Sequence, residues 1–471
     1  MINVLKKFNS EIWVKVFTFL FLLSLFFPIR HVFLTASSYL TGDYSDFTSF
    51  SLYLSDILLF FAFLFILWFN FTLFWSRIKD KRLWILIFWL ILALFFAKNS
   101  ISGLNIWNFI KFLEFIIVAY GTAYLAFSKF DLKTWFFKIF AWFCGIQSII
   151  ALAQFAKQSS LGLYRLGESH LAPNMLGVAK IVSNGTTFIR GYGTFPHPNV
   201  FSAFLVTGVL IAAYLLMISN QKKAKIAYSF LIFLNILGLT VAFSRGAYLA
   251  LGVGLVIFFG TMKYRKLEIA RGPSVSEGSE TISSTNQIAS PRLSSGLAIS
   301  VLAMSILISF AIFRPFLLTR ATFSDQSTID RKFYDQMGLK MAEQHPLFGV
   351  GAGEGLLHME QVSNKTLMPW EKQPPHNYFI IAAAELGIPF ALILLWIFLY
   401  QLKAIYYKFK DDFSIYLLLL ISLFTCFLVL MQFDHYFYTL QQTQMLLWIL
   451  LGLIAAETNQ KNSSPFKGEA R

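Results

Sequence analysis

The chain has 471 residues, of which 57% are hydrophobic and 13% are charged. Soluble globular domains hold about 45–50% apolar and about 25% charged residues, so the composition excludes a soluble domain and predicts a polytopic membrane protein. The net charge of +15 does not indicate nucleic-acid binding. Most positive residues lie in short loops between apolar runs, where they set the topology and meet anionic headgroups. Cys144 and Cys426 both lie in apolar runs, which leaves neither a disulfide framework nor a CxxC metal site.

The apolar runs predict an all-α fold with about twelve transmembrane helices, since each span needs about 20 apolar residues. The first run follows Lys6 and Lys7 and resembles a signal peptide. It is long for one and lacks an A-x-A cleavage site, so we interpret it as an uncleaved span. No internal repeat is evident, which disfavours inverted-repeat transporter folds. The predicted spans are 12–29, 50–75, 83–97, 105–127, 134–156, 195–218, 225–243, 246–262, 295–314, 376–400, 414–431 and 438–456.

Alternate loops differ in charge, which predicts the orientation. Lysine and arginine are concentrated in the loops at 76–82, 128–133, 220–225, 263–266 and 403–412, whereas the short loops between them hold at most one positive residue each. By the positive-inside rule, the positive loops and both termini are predicted to be cytoplasmic. The even number of spans agrees with this orientation.

Three long loops interrupt the spans. The loops 157–194 and 315–375 are predicted to face outward, and 263–294 to face inward. The inner loop contains the serine-rich stretch SVSEGSETISSTNQIASPRLSS, which predicts a disordered tether. The expected organisation is spans one to eight (1–262), the cytoplasmic loop (263–294), span nine (295–314), the outer loop (315–375), spans ten to twelve (376–456) and a cytoplasmic tail (457–471).

The outer loop 315–375, called the large loop below, is predicted to contain an amphipathic helix. Ser327 or Thr328 is the predicted N-cap, and Pro346 ends the helix. Such a helix must lay its apolar stripe on the membrane domain, so the large loop is predicted to be a lid. The apolar stripe recurs at every fourth position, at Ile329, Phe333, Met337 and Met341.

Polar residues that are distant in sequence gather on the predicted outer side. Ionisable residues at such positions are functional-site hypotheses. The structural alternatives are arginines that snorkel to headgroups, an ordinary polar turn for the Asp-His pair, and a helix-end role for the histidine. The candidates are Arg190 before the sixth span, Arg245 in the turn before the eighth, His376 and Asn377 on the first turn of the tenth, and Asp434 and His435 before the twelfth.

Three further polar residues have structural interpretations. His197, between two prolines at the start of the sixth span, is predicted to be structural. Lys111 and Glu114 lie three residues apart on the fourth span, and we expect them to pair inside the bundle.

The candidate residues permit a specific chemistry. Two guanidinium groups suit a diphosphate, because arginine presents two parallel donors to phosphate oxygens. A histidine at a helix N-terminus meets the positive end of the helix dipole, which disfavours imidazolium. A neutral histidine can accept a proton from a sugar hydroxyl. The implied reaction is displacement of a lipid diphosphate from a sugar by that hydroxyl.

Two other motifs do not indicate cofactor sites. The run at 349–355, GVGAGEG, superficially resembles a dinucleotide loop, but no βαβ unit surrounds it. We predict a tight turn whose N–H groups could cradle an anion. His345, His358 and Glu360 lack the H-E-x-x-H spacing, so no metal site is predicted.

Four motifs resemble the O-antigen ligase and polymerase superfamily of bacterial envelope enzymes. They are HPLFGVGAGEG (345–355), PPHNYFIIAAAELGIP (374–389), GYGTFPHPNVFSAFL (191–205) and FSRGAYLAL (243–251). The resemblance implies an inner-membrane glycosyltransferase that takes its saccharide from undecaprenyl diphosphate, without a nucleotide sugar, metal or cofactor. It implies that His376 is essential and that Arg190 and Arg245 bind the diphosphate. Asn377, Asp434 and His435 are expected to contact substrate.

Several functions share these motifs. An O-antigen ligase transfers the saccharide to a lipid or glycan acceptor, and a polymerase extends another lipid-linked glycan. A protein O-oligosaccharyltransferase uses the same donor chemistry. The alternative from another class is a polysaccharide flippase or transporter, which would place ionisable residues mid-span on discontinuous helices. Here they crowd at one interface, with Lys111 and Glu114 as the exception.

Overall fold

The computed structural model of the protein describes residues 15–62, 64, 81–98, 102–126, 132–271, 289–320 and 326–458. This part of the chain is mostly helical, with two short antiparallel hairpins. The helices are α1 Lys15–Phe26, α2 54–62, α3 Lys81–Phe96, α4 Gly103–Ala126, α5 Leu132–Lys157, α6 Pro198–Ile218, α7 Lys222–Ala242, α8 Arg245–Arg271, α9 Ala289–Arg320, α10 Gln326–Gln344, α11 Met359–Ser363, α12 Tyr378–Leu386, α13 Ile388–Asp411, α14 Ile415–Leu430, α15 Tyr436–Thr439 and α16 Gln441–Thr458. The strands are β1 Arg30–Phe33, β2 Phe50–Tyr53, β3 Lys180–Ser183 and β4 Thr186–Ile189.

The helices support an integral membrane protein. Six described helices, α4, α5, α6, α7, α9 and α13, contain segments long and apolar enough to cross a membrane, and α1, α8 and α14 contain shorter apolar segments. The count of twelve spans and their orientation stay predictions. The predicted span 50–75 begins as strand β2, so its helix starts only at residue 54, and most of it beyond residue 62 lies outside the described residues.

Helix α6 is the centre of the bundle. Almost all of its residues are buried, and it packs against α5, α7, α8, α9 and α14. Cys144 and Cys426 are buried free thiols, as expected for packing residues. Lys111 and Glu114 form the predicted ion pair at 2.9 Å, and Lys111 also binds Asp56, at 2.5 Å.

The predicted span 376–400 is two helices, α12 and α13, separated by Gly387. Pro389 lies four residues after Glu385 and has no amide hydrogen, so the carbonyl of Glu385 has no donor in a continuous helix. Gly387 ends α12 with φ +91°, a conformation that only glycine adopts without strain. A single uninterrupted span was therefore the wrong prediction, and the proline is the physical reason.

The glycine-rich segment 349–355, called the glycine loop below, docks on this break. The N–H of Val350 donates to the carbonyl of Ala384 (2.9 Å), and the N–H of Gly351 donates to that of Glu385 (2.9 Å). The carboxylate of Glu385 accepts the N–H groups of Gly353 (2.8 Å) and Gly355 (3.3 Å). These N–H groups of the glycine loop are thus bound by a side chain of the same chain, and an anionic ligand there stays a prediction.

Helix α10 confirms the predicted amphipathic helix of the large loop. Met337 and Met341 are buried in a small second core, and Phe333 packs against it. Ile329 is 58% exposed and does not join the stripe. The helix begins at Gln326, so Ser327 and Thr328 both lie inside the first turn, and neither is the predicted N-cap.

The predicted inner loop is partly helical at its ends. Helix α8 continues to Arg271 and α9 begins at Ala289, while residues 272–288 lie outside the described part of the chain. The tail from residue 459 also lies outside it. Helix α9 continues past the predicted end of the ninth span to Arg320, with Pro315 inside it.

The break at Gly387 generates a stability prediction. A Cβ at Gly387 would lie 1.9 Å from the carbonyl oxygen of Leu347, so Gly387→Ala must both strain φ and push the large loop away. We expect a loss of at least about 2 kcal/mol, seen as a lower Tm in detergent. Gly252→Ala is the matched control, because a Cβ there meets nothing within 4 Å. Equal Tm values for the two variants would contradict the docking described above.

Candidate functional site

The candidate residues come together at one end of the bundle. Helices α6 and α8 begin there, α9 ends there, and α14 leads through a turn into α15. Helix α10 of the large loop lies across them, and α12 starts beside it. The helix ends supply polar side chains, namely Asn199 on α6, Arg245 on α8, Arg320 on α9 and Asp434 after α14.

His376 lies at the junction of the large loop and α12. It precedes the N-cap Asn377, so it is not on the first turn of a helix as predicted. Its N–H donates to Asp335 Oδ1 (2.6 Å), and its ring stacks on Tyr334, with centroids 5.6 Å apart. His376 Nδ1 is buried and finds no hydrogen-bond partner among the described residues.

The imidazole of His376 is held neutral by its surroundings. Burial, with smaller contributions from His435 and Arg331, lowers the pKa of His376 to about 3, while Asp434 opposes them. The position of His376 in the sequence predicted a neutral ring because of the helix dipole. The outcome agrees, but the main cause is desolvation.

Asp434 and His435 lie beside His376 in the turn between α14 and α15. The rings of His376 and His435 meet edge to face, with centroids 5.1 Å apart. Asp434 is 7% exposed, and Arg331 lies 3.7 Å from its Oδ2. Burial alone would raise the pKa of Asp434, but His435, His376 and Arg331 lower the pKa below its usual range. Asp434 is therefore a buried carboxylate.

His435 lies between Thr439 and Asp434. Its Nδ1 is 2.7 Å from Thr439 Oγ1, and its Nε2 is 3.8 Å from Asp434 Oδ1. Both ring nitrogens therefore face polar side chains.

Arg190 reaches this cluster through Asn199. Its Nε donates to the carbonyl of Ala242 (2.6 Å), and its Nη2 donates to Asn199 Oδ1 (2.7 Å). Asn199 Nδ2 then donates to Asp434 Oδ2 (2.6 Å). Arg190 is 4% exposed, and burial, followed by Arg320, lowers the pKa of its guanidinium from the ordinary value. The Asn199 amide links this buried cation to the buried carboxylate.

A cleft of about 310 Å³, including its open mouth, adjoins the cluster. Its charged lining comprises three guanidinium groups and one carboxylate. Nε of Arg331 is buried and has no hydrogen-bond partner among the described residues. Arg245 Nη2 lies 3.4 Å from Thr328 of α10, so the large loop closes one side. We call this feature the arginine cleft, and its polar lining includes Asn199, Arg245, Arg320, Arg331, Asp434 and Tyr436.

Three residues of this site were not among the predicted ones. Arg320 is the last residue of α9. Arg331 lies on the polar face of α10, and a charged residue on such a face is normally exposed to solvent. Asn199 follows two prolines and looks like an ordinary cap. Only the PHPN motif drew attention to that segment, through His197.

Asn377 and His197 have structural contacts. Asn377 Oδ1 accepts the N–H groups of Phe379 (2.9 Å) and Ile380 (3.2 Å), which makes it the N-cap of α12. His197 is the N-cap of α6 and accepts the N–H of Asn199 (3.2 Å). Burial, and then Arg190, lower the pKa of His197 to about 3. A substrate contact for Asn377 stays a prediction.

Metal coordination was not predicted, yet three potential ligands meet here. One ligand atom each from His376, Asp434 and His435 lie within 4.8 Å of one another. Zinc ligands bind about 2.0–2.2 Å from the ion, so these side chains would have to move closer. Asp434 Oδ2 would also have to share its lone pairs with the Asn199 amide.

A family model described as Wzy_C: O-Antigen ligase matches residues 229–395. The match begins in α7 and ends in α13, so it includes Arg245, the large loop and His376. Arg190, Asp434 and His435 lie outside it. The resemblance to the O-antigen ligase superfamily is confirmed over this range. No curated protein matches the chain.

Proposed function

We propose that this chain, which matches the O-antigen ligase family model over residues 229–395, transfers a saccharide from undecaprenyl diphosphate to an acceptor hydroxyl on the outer face of the membrane. The observation that carries the proposal is one juxtaposition. A cleft with three guanidinium groups and one carboxylate adjoins the half-buried His376, whose buried Nδ1 has no hydrogen-bond partner among the described residues. The first feature suits a diphosphate, and the second suits a proton acceptor.

The arginine cleft would hold the diphosphate as a leaving group. Arg331 offers an Nε without a partner among the described residues, and Arg245 and Arg320 line the same cleft. A hydrogen bond to a charged group contributes about 1.5–3 kcal/mol. Arg190 acts from behind the cleft, because its Nε and Nη2 already bind protein groups. Its charge adds to the field that favours an anion.

The transfer step is a displacement at the anomeric carbon. The acceptor oxygen forms a bond to that carbon, and the bond from the carbon to the diphosphate oxygen breaks, so the diphosphate leaves with the electron pair. The hydroxyl proton passes to Nδ1 of His376, the ring atom without a partner. General-base help of this kind accelerates a reaction about 10²–10⁴-fold.

Donor binding would raise the basicity of His376. In the free protein, burial holds the pKa of His376 at about 3, which makes it a weak base. A diphosphate in the adjoining cleft brings negative charge close to the ring, and negative charge favours imidazolium. The base is thereby strengthened when the donor is in place.

The first functional prediction concerns geometry at the diphosphate. Lysine keeps the charge of arginine but lacks its planar two-donor fork. We expect Arg245→Lys and Arg331→Lys each to lose roughly tenfold in kcat/KM and the alanine variants to lose more, in transfer from purified undecaprenyl diphosphate-linked glycan in nanodiscs. Arg165→Lys, an exposed arginine, is the matched control. Full activity of both lysine variants would show that charge alone is needed, as for snorkelling arginines.

The second prediction concerns the base. His376→Ala should reduce kcat by about 10²-fold or more and leave donor binding nearly unchanged, since a base acts on the transition state. The control is His170→Ala, because His170 is also stacked on a tyrosine, Tyr164, but is exposed. Equal losses of binding and turnover would make His376 a phosphate ligand. Activity that a chelator abolishes in the wild type would assign His376 to a metal.

The third prediction concerns pH. In the pH profile of kcat/KM, the acid limb reports the pKa of the base in the free enzyme, where the pKa of His376 is about 3. In the pH profile of kcat, the acid limb reports the pKa of the base in the donor complex. We expect the kcat limb to lie at higher pH. Tyr334→Ala should hydrate the ring and move the kcat/KM limb up toward the ordinary histidine range. Coincident limbs near pH 6.5 in the wild type would contradict a buried neutral base.

A further inference from the structure

The segment between α1 and α2 is a folded element of the site end. Strands β1 and β2 pair antiparallel, with Arg30 opposite Tyr53, and close a loop at residues 34–49. The rings of Tyr39 and Tyr44 lie 6.3 Å apart in this loop. They are 50% and 42% exposed. Two neighbouring tyrosines thus present accessible faces.

The large loop brings a tryptophan to the same surface. Lys372 Nζ donates to the carbonyl of Thr41 (3.1 Å), and a Cβ at Gly42 would lie 3.3 Å from Pro369. These contacts of Lys372 and Pro369 place the backbone at Trp370 beside the loop 34–49. Trp370 is 64% exposed. We call Tyr39, Tyr44 and Trp370 the aromatic patch.

Carboxylates stand among these rings. Asp46 Oδ1 accepts the hydroxyl of Tyr44 (2.5 Å) and Nη2 of Arg30 (2.7 Å). Asp43 is exposed, and its Oδ1 accepts the N–H of Tyr44 (2.7 Å). Saccharides present apolar C–H faces that stack on aromatic rings and hydroxyls that donate to carboxylates. The patch offers both kinds of partner to a saccharide.

The patch is continuous with the proposed base through Phe47. The ring of Phe47 meets that of His435 edge to face, with centroids 5.5 Å apart, and His435 meets His376. The preceding residue, Asp434, lines the arginine cleft instead. In a displacement, the attacking oxygen and the leaving group lie on opposite sides of the carbon. The patch therefore suits the acceptor and not the diphosphate.

We propose that Tyr39, Tyr44 and Trp370, with Asp43 and Asp46, form the subsite that binds the acceptor saccharide. The subsite rests on the proposed function, because it takes its direction from the displacement at His376. It gives the segment 30–53 a role in acceptor choice.

The kinetic test separates acceptor from donor. The probes are undecaprenyl diphosphate-linked glycan as donor and the core oligosaccharide of a lipopolysaccharide, freed of its lipid, as acceptor. Trp370→Ala and Tyr44→Ala should each raise the acceptor KM about five- to tenfold and leave kcat and donor KM unchanged. Trp142→Ala, another tryptophan of which 48% is exposed, is the matched control on α5. A rise in donor KM alone overturns the subsite.

A binding measurement distinguishes failure of the acceptor subsite from failure of the proposed glycosyl transfer. Saturation-transfer NMR on wild-type protein uses the same core oligosaccharide and, in a second sample, the glycan released from the lipid donor. Contact with either saccharide that Trp370→Ala removes supports the subsite even where no transfer occurs, in which case the proposed function fails alone. No contact in the wild type overturns the subsite. Sensitivity of Trp370→Ala to vesicle composition with saccharide contact unchanged identifies a membrane-interface anchor and also overturns it.

Discussion

Pro389 has no amide hydrogen, and much of the architecture at the site follows from that constraint. The carbonyl of Glu385 would be left without a partner near the membrane, where an unsatisfied backbone group is costly. The glycine loop supplies the missing donor from Gly351 and two further N–H groups to the Glu385 carboxylate. A Cβ at Gly349 would lie 2.3 Å from the Glu385 backbone, so the approach requires glycine. The large loop is thereby fixed to α12, whose first residues follow His376.

The electrostatics of the site depend on one buried carboxylate among several cations. Asp434 holds the amide of Asn199, which in turn holds Arg190, while Arg331 approaches Asp434 from the large loop at 3.7 Å. The bundle and the loop therefore both contribute cations to a single anion. The positive charge that remains favours an anionic substrate part, and the neutral ring of His376 adds nothing to it. In the proposed reaction the positive cleft binds the anionic leaving group, and the neutral ring accepts the proton.

The sequence predicted the helical membrane fold, the amphipathic helix and the meeting of His376, Asp434 and His435, because apolar period and loop charge are local signals. It did not predict the break at Gly387, although the ELGIP motif contains the proline that causes it. The apolar run is long enough for one span, and this length favoured a single helix despite the proline. Arg331 was missed because the polar face of α10 turns inward at one end. Ile329, at the same end, is 58% exposed, so this helix does not follow simple amphipathic periodicity there.

The segment 30–53 shows why the second half of the site was not predicted. Its residues have no chemical motif, and their meaning depends on contacts with residues more than 300 positions away, such as Lys372 with Thr41. Sequence reasoning found the residues that resemble a donor site, since charged residues are rare in such a chain. Aromatic residues are common in this chain, so individual tyrosines do not stand out in the sequence. Their proposed role depends on the residues that the fold places beside them. The turn at Asp434 and His435 lies between the arginine cleft and the aromatic patch. Asp434 lines the arginine cleft, whereas the next residue, His435, contacts Phe47.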